Sequence, residues 1–177
     1  NTNRWTYPLV AETTSLNSLE AQLVGISFSD GKKAAYIPVG HTYEGAQEQL
    51  DLSDVLSDLK PLLESKKPAK ILQNLKYDLA VFRNYDINID STQFDTMLES
   101  YVLDSIASRH DMDTLALKHL GHKTIHYVDI AGKGKNQKRF DEIEIEIAAP
   151  YAGEDAAITY LLHEALWPEL KKTKSIK

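Results

Sequence analysis

The 177-residue chain contains no cysteine, which excludes disulfides and thiolate metal sites and is compatible with a reducing compartment. It also has no apolar run near the ~20 residues that a membrane-spanning helix needs, so we expect no membrane partner. The N-terminal stretch lacks signal-peptide architecture, which favours a cytoplasmic location. The formal net charge of −6 gives no whole-molecule attraction to nucleic acid. Any polyanion must therefore be held by a local basic patch or by metal ions.

The apolar sequence that is present suffices for the core of one ordinary domain, since 42% of the residues are hydrophobic and 26% are charged. We expect one domain over residues 1–177. Three β-rich runs come first: Tyr7–Thr13, Gln22–Ser29 and Ala34–Val39. The turn dipeptide Asp30-Gly31 separates the last two runs and predicts a hairpin.

The middle of the chain alternates between helical and strand patterns. Leucine and valine recur at helical spacing over residues 52–63, where Pro61 should kink or restart the helix. A short strand is predicted at Lys70–Gln73, followed by a helix over residues 75–82. A strand-then-helix pattern recurs at residues 91–103, with Asp95 as the N-cap of a helix over Thr96–Leu103. Antiparallel strands followed by alternating β and α elements indicate one mixed α/β domain.

The last third of the chain is less regular. Asp113 is predicted to cap a short helix that Gly121 ends, and residues 122–142 read as basic and irregular. A final helix should cover roughly Tyr151–Leu166, with regular helix starting near Ala149, because a proline at 150 suits a first turn. Residues 143–147, IEIEI, alternate with a period of two, which favours a strand, yet no turn residue separates them from the last helix, so we expect irregular or helical structure there.

Three acids stand out by their placement in the predicted elements. Glu12 lies at the end of the first strand, Asp78 lies four residues after Asn74, and Asp155 lies four residues after Tyr151. Carboxylates from three elements that meet at one strand edge would form an all-oxygen site suited to Mg²⁺ or Mn²⁺. Two such ions about 4 Å apart support phosphodiester hydrolysis. From spacing alone, however, such aspartates are more often surface helix residues.

The only concentrated basic patch lies in the irregular segment. It comprises Lys133, Lys135, Lys138 and Arg139. Such a cluster is usually a solvated loop, yet it is also the one place where a phosphate backbone could be held. The glycines here lack the spacing and the Ser or Thr of a phosphate-binding P-loop.

Several motifs together resemble one known family. In order, these are QNLKYD, FDTMLESYVL, RHDMDTLA, HKTI, IAGKGKNQ and YAGEDAAIT. They resemble the 3′–5′ exonuclease (proofreading) domain of bacterial DNA polymerase I, a family A polymerase, from about Tyr7 to Leu170. The resemblance implies a ribonuclease H-like α/β fold with a mixed sheet flanked by helices. It also implies one domain of a longer bacterial enzyme, with the polymerase domain of the same chain as a partner.

The family's second and third active-site motifs are intact, as Asn74 with Asp78 and Tyr151 with Asp155. By resemblance, Asp78 would help to hold a second Mg²⁺ or Mn²⁺ ion and Asp155 a first. Tyr151 would orient the attacking water. Together with Glu12, these residues form the implied catalytic and metal-binding set.

The resemblance also implies contacts to a single-stranded DNA 3′ end. Gln73 and Asn74 fall where the family touches this strand, and Leu16 and Tyr127 where it packs on bases. Stacking of this kind contributes roughly 1–3 kcal/mol per base. Lys133 and Lys135 complete the predicted DNA-binding set.

The first motif departs from the family pattern Asp-x-Glu, because this chain has Val10 where the pattern has Asp, followed by Ala11 and Glu12. In the family this Asp bridges both metal ions, and Val cannot coordinate a metal. Losing an outer-shell partner costs about 10–100-fold, so losing a bridging ligand should cost on the order of 10³-fold or more in rate. We therefore expect a weakened or inactive exonuclease that keeps its fold.

Two functions remain open from the sequence. The first is a weak metal-dependent exonuclease, and the second is a non-catalytic module that supports the polymerase or binds a single-stranded 3′ end. Val10 favours the second, whereas the intact motifs favour the first. We also expect that Val10→Asp lowers metal-free stability and increases stabilisation by Mg²⁺ or Mn²⁺, since it adds a negative charge.

Overall fold

A computed structural model describes residues 6–89, 93–107 and 109–173 of the chain. Its centre is a five-stranded mixed sheet of order β3-β2-β1-β4-β5. The strands are β1 Thr6–Thr13, β2 Leu23–Ser29, β3 Ala34–Pro38, β4 Ala69–Leu72 and β5 Gln93–Asp95. β1, β2 and β3 pair antiparallel, which confirms the predicted hairpin, while β4 is parallel to β1 and to β5.

Six α-helices flank this sheet in the described residues. They are α1 Leu52–Glu64, α2 Leu75–Arg83, α3 Thr96–Leu103, α4 Met112–Leu115, α5 Tyr127–Ala131 and α6 Ile145–Lys172. A π-helical turn, Ala116–Leu120, extends α4, and short 3₁₀ turns occupy residues 134–136 and 140–142. None of these helices combines the length and the apolar character that crossing a membrane requires.

Several local predictions are confirmed. Asp95 caps α3 with its side chain, and Gly121 ends the π-helical turn with a positive φ of 63°. α1 includes Pro61 as one continuous helix, so the proline does not restart it. The strand-then-helix pattern at residues 91–103 appears as β5 and α3, although residues 91–92 lie outside the described part of the chain.

Three local predictions are wrong. The N-cap of α4 is Asp111, whose side chain accepts from the Thr114 N–H, and Asp113 lies in the first turn instead. The segment 122–142 is not wholly irregular, because it contains α5 and the two 3₁₀ turns. The last helix starts at Ile145, before the predicted Ala149, and Pro150 lies inside it. The burial of Ile145, Ala148 and Ala152 outweighs the helix-interior cost of the proline.

The two faces of β1 have different neighbours. Leu9 and Ala11 pack into the core with α1 and α2. Because side chains alternate along a strand, Val10 and Glu12 point to the opposite face, against which α6 packs. The strand therefore directs its one acid toward the helix that carries Asp155.

Candidate active site

Glu12 lies beside a bulge at the end of β1 and is only 9% exposed. Its partner in β2 is Gly25, and the ring of Tyr36 fills the space above this glycine, where a Cβ would come within 2.2 Å of the tyrosine hydroxyl. Burial, with a further contribution from the charge of Asp78, raises the pKa of Glu12 to about 8. Its Oε1 atom is buried without a hydrogen-bond partner among the described residues. A buried carboxylate oxygen of this kind is costly unless a cation or a donor meets it.

Asp78 and Asp155 face the same region from two different helices. Asp78 lies in the first turn of α2, where burial and then the charge of Asp95 raise its pKa well above the usual value. The pKa of Asp155 on α6 is also raised well above the usual value, by burial and then by Glu12. Glu12 therefore shares an electrostatic environment with both aspartates, as expected if three elements deliver their acids to one place.

Tyr151 lies one turn before Asp155 and belongs to an aromatic wall. Its ring packs against Tyr127 and Phe140, with centroid distances of 6.2 and 5.9 Å. Burial raises the pKa of Tyr151, and the neighbouring charges of Asp155 and Glu12 raise it further. The hydroxyl therefore stays protonated beside the acids.

A short chain of hydrogen bonds supports Tyr36, the other tyrosine near Glu12. His41 Nδ1 donates to the Ile143 carbonyl at 2.8 Å, which leaves Nε2 to accept from the Tyr36 hydroxyl at 2.7 Å. Burial lowers the pKa of His41, in keeping with a neutral ring. Tyr36 was not predicted as a site residue, because only the strand pairing brings it near Glu12, and His41 follows as its hydrogen-bond partner.

An open cleft of about 550 Å³ adjoins Glu12. Its lining includes four predicted site residues: Glu12, Leu16, Tyr127 and Tyr151. Leu16 is 97% exposed, and the Tyr127 hydroxyl donates to the Lys138 carbonyl at 2.9 Å. An exposed aliphatic side chain and an aromatic ring thus lie in one cleft, where they are available to pack against a planar ligand.

The remaining predicted DNA contacts are more scattered. The Gln73 amide donates to the His110 carbonyl at 3.1 Å and accepts from the Thr96 hydroxyl, so its polar atoms are engaged within the protein. Asn74 is exposed in a neighbouring groove between α2 and α3. Lys133 and Lys135 are exposed but do not line the cleft.

The basic residues that do line the cleft are Lys138 and Arg139. Arg139 is already paired with the buried Asp141 through two contacts of 3.0 and 2.8 Å. Both residues belong to the basic patch predicted from the sequence, but the sequence does not indicate which side of the loop faces the cleft.

The acids fit a divalent cation only in part. Glu12 offers an unpartnered buried oxygen, and carboxylates are the ligands that Mg²⁺ and Mn²⁺ prefer. Over residues 6–89, 93–107 and 109–173, however, no group of three or more His, Asp or Glu side chains is arranged to hold a metal ion. Val10, which the sequence comparison of motifs predicts to replace an acid, supplies no oxygen. This arrangement does not fit a complete two-ion site.

Comparison with known sequences identifies the family. A family described as 3′–5′ exonuclease matches residues 10–171. The chain is 54% identical over 168 residues to DNA polymerase I of Pseudomonas aeruginosa, a match that covers 93% of the chain and 18% of the polymerase. It is 43% identical over 177 residues to DNA polymerase I of Rhizobium leguminosarum, covering 90% of the chain and 17% of that protein. The chain thus spans less than a fifth of the length of these relatives.

Solved structures are similar in fold. The POL domain of Pol1 from M. smegmatis, in complex with DNA primer-template and dNTP, matches with a TM-score of 0.71 and 16% identity, over 96% of this chain and 25% of that one. Brucella melitensis NrnC with bound Mg²⁺ matches with a TM-score of 0.66 and 19% identity, over 98% and 78% of the two chains. These likenesses confirm the expected ribonuclease H-like exonuclease fold. The chain belongs to the 3′–5′ exonuclease family, in the branch found in bacterial DNA polymerase I.

Proposed function

We propose that this chain is the proofreading domain of a bacterial DNA polymerase I whose exonuclease activity is weakened or lost. In the family's reaction, two Mg²⁺ or Mn²⁺ ions support hydrolysis of the last phosphodiester bond at a single-stranded DNA 3′ end. Glu12, Asp78 and Asp155 would supply the remaining carboxylates, and Tyr151 would orient water. The domain would act in DNA replication and repair in the cytoplasm, beside the polymerase domain of the same polypeptide.

The observation that carries this proposal is Val10. It lies on the same face of β1 as Glu12, two residues away, where the family motif has an aspartate. Glu12 therefore keeps a buried carboxylate oxygen, unpartnered among the described residues, without the neighbouring acid that would share a cation with it. Charge balance around two divalent ions is correspondingly poorer with three carboxylates than with four.

The second candidate is a module that binds a single-stranded 3′ end without cleaving it. The cleft beside Glu12 favours this function, because Leu16 and Tyr127 line it and Lys138 adds a positive charge at its edge. Binding through packing on bases requires no complete metal site.

Restoring the missing acid tests the proposal. Release of nucleotides from a 5′-labelled single-stranded oligonucleotide is measured with Mg²⁺ and with Mn²⁺, for the wild-type chain and for Val10→Asp. We expect Val10→Asp to be faster by on the order of 10³-fold, since a bridging ligand is worth more than an outer-shell partner.

Val10→Asn is the matched control, because it has the size of aspartate but no negative charge, and it should stay near the wild-type rate. A wild-type rate close to that of Val10→Asp would contradict a weakened site. Equal inactivity of both proteins, together with oligonucleotide binding that Leu16→Ala weakens, would favour the non-catalytic module.

A further inference from the structure

One carboxylate beside the candidate site connects two helices. Asp95 ends β5, is 7% exposed and caps α3 through Oδ1, which accepts from the backbone N–H groups of Met97 at 2.9 Å and Leu98 at 3.4 Å. This is the ordinary work of an N-cap aspartate. It satisfies amides that have no partner within their own helix.

The same carboxylate also reaches the start of α2. The Asn74 N–H donates to Oδ1 at 3.2 Å, and the Leu75 N–H donates to Oδ2 at 2.9 Å. The two contacts are possible because β4 and β5 run parallel, with Leu72 paired to Asp95, so both strands end at the same edge of the sheet. Asp95 therefore serves two helix N-termini at once.

α2 has no side-chain cap of its own. Asn74 occupies the N-cap position in a left-handed conformation, with φ 65° and ψ 52°, and its side chain makes no capping hydrogen bond within the described structure. This conformation is unfavourable for most non-glycine residues, although asparagine adopts it more readily than others. The hydrogen bonds from the Asn74 and Leu75 amides to Asp95 hold the backbone at this point and stabilise it.

We propose that Asp95 is a positioning residue for the active site, a role that rests on the proposed function for its catalytic consequence. By fixing the first amides of α2, it sets the direction that the chain takes at Asn74, between β4 and α2. It also sets the position of Asp78, which lies one helical turn further along α2. Small errors in the placement of catalytic groups are costly, so loosening this start should slow the reaction.

α1 offers a matched control. Its N-cap is Asp51, whose Oδ1 accepts from the Ser53 N–H at 2.8 Å and the Asp54 N–H at 3.2 Å. Asp51 is exposed and serves only its own helix, and it lies outside the cleft beside Glu12. Asp51 and Asp95 thus each cap their own helix, but only Asp95 also accepts hydrogen bonds from the start of a second helix.

Serine separates the two roles of Asp95. A serine remains a good N-cap for its own helix. Its side chain is shorter than that of aspartate and has a single oxygen, so it cannot also accept from the amides of a second helix. In Asp95→Ser we expect hydrogen exchange at the Asn74 and Leu75 amides to accelerate by about tenfold or more. The side-chain amide resonances of Asn74 should shift. The carboxyl resonance of Asp78 should shift more in Asp95→Ser than in Asp95→Asn, since both variants remove the charge that acts on Asp78 and only the asparagine keeps an acceptor oxygen at the same reach. Asp51→Ser should change none of these signals.

The catalytic arm uses Val10→Asp as the parent. Adding Asp95→Ser should lower kcat for a single-stranded oligonucleotide by about tenfold or more, whereas adding Asp51→Ser should leave kcat within about twofold. Asp95→Asn keeps one acceptor oxygen and should give intermediate values. It also provides a second variant in case the serine variant is poorly folded.

Unchanged exchange at Asn74 and Leu75, or an Asp78 resonance that shifts equally in Asp95→Ser and Asp95→Asn, would overturn the positioning role. The same would follow if exchange accelerated but kcat in the Val10→Asp parent did not fall. A parent without any hydrolysis would instead contradict the proposed function. The exchange and resonance measurements would then still decide whether Asp95 positions α2.

Discussion

Two buried carboxylates of this domain, Glu12 and Asp141, differ in what surrounds them. Asp141 is 2% exposed, yet its pKa is lowered: burial would raise it, but Arg139 at 2.8–3.0 Å and the Thr42 hydroxyl at 2.7 Å donate to it and outweigh burial. Glu12 is 9% exposed, and its pKa is raised to about 8. Burial alone therefore does not decide the state of a carboxylate; its partners do.

This difference separates structural acids from acids held for a ligand. Asp141 is satisfied inside the protein and ties the loop before α6 to Thr42. Glu12 meets no such donor in the part of the chain that the structure describes, and the acids Asp78 and Asp155 act on it instead. Buried like charges without partners are destabilising, so their presence is best explained by a function that supplies positive charge.

The largest expected effect concerns pH in the presence of a chelator. The raised pKa means that native Glu12 keeps a proton between about pH 4.5 and 8, where the unfolded chain has lost it. The free energy of unfolding should therefore fall as pH rises through this window, by about 5 kcal/mol at most. Urea unfolding at several pH values in this window measures the slope. The raised pKa values of Asp78 and Asp155 act in the same direction.

Glu12→Gln removes the titrating group and should flatten, though not abolish, this slope. The matched variant Asp141→Asn should leave the slope over the same range unchanged, because the pKa of Asp141 is lowered rather than raised. Identical slopes for the wild type and Glu12→Gln would show that Glu12 behaves like the satisfied acid.

A second test adds to the charge that the site already contains. Val10→Asp should lower the metal-free free energy of unfolding by about 1–3 kcal/mol, because it adds a partly buried acid beside Glu12. Mg²⁺ or Mn²⁺ should then stabilise Val10→Asp more than the wild type, as seen in melting temperatures with and without metal. Val10→Asn should show neither change. A metal response of Val10→Asp equal to that of the wild type would count against the motif assignment.

The smallest effect concerns the satisfied acid. Arg139→Gln should destabilise the domain modestly, since it leaves the buried Asp141 with fewer donors. Arg109→Gln is the control: Arg109 pairs with Asp111 at 2.8 Å, but the aspartate is 37% exposed, so the loss should stay within about 0.5 kcal/mol. Chemical denaturation of the two variants gives both numbers, and equal losses would remove the distinction between these pairs.

The sequence predicts best those features whose causes are local. Asp95 and the helix it caps follow from a short signature, and the β2–β3 hairpin follows from one turn between two β-rich runs. The cap of α4 was misassigned because Asp111 and Asp113 both precede the same helical residues and only geometry separates them. The early start of α6 was missed because tertiary burial overrides the local preference of Pro150.

The candidate site likewise contains residues that local motifs predict and residues that only the folded structure brings together. Its acids are indicated by motifs within single segments, and their roles remain predictions. Tyr36 stands beside Glu12 only because β2 lies between their strands and has glycine at the right register, which a linear pattern does not reveal. The orientation of the basic loop, which turns Lys138 rather than Lys133 toward the cleft, depends on packing that composition does not encode.

The glycine at position 25 joins distant parts of the domain. A methyl group there would collide with the Tyr36 ring, and the tyrosine is linked through His41 to the Ile143 carbonyl, two residues before α6 begins. A change of one small residue in the middle of the sheet would therefore be transmitted through two side chains to the base of the helix that carries Asp155. The geometry of this candidate site is thus controlled partly by a residue that has no side chain with which to touch a ligand.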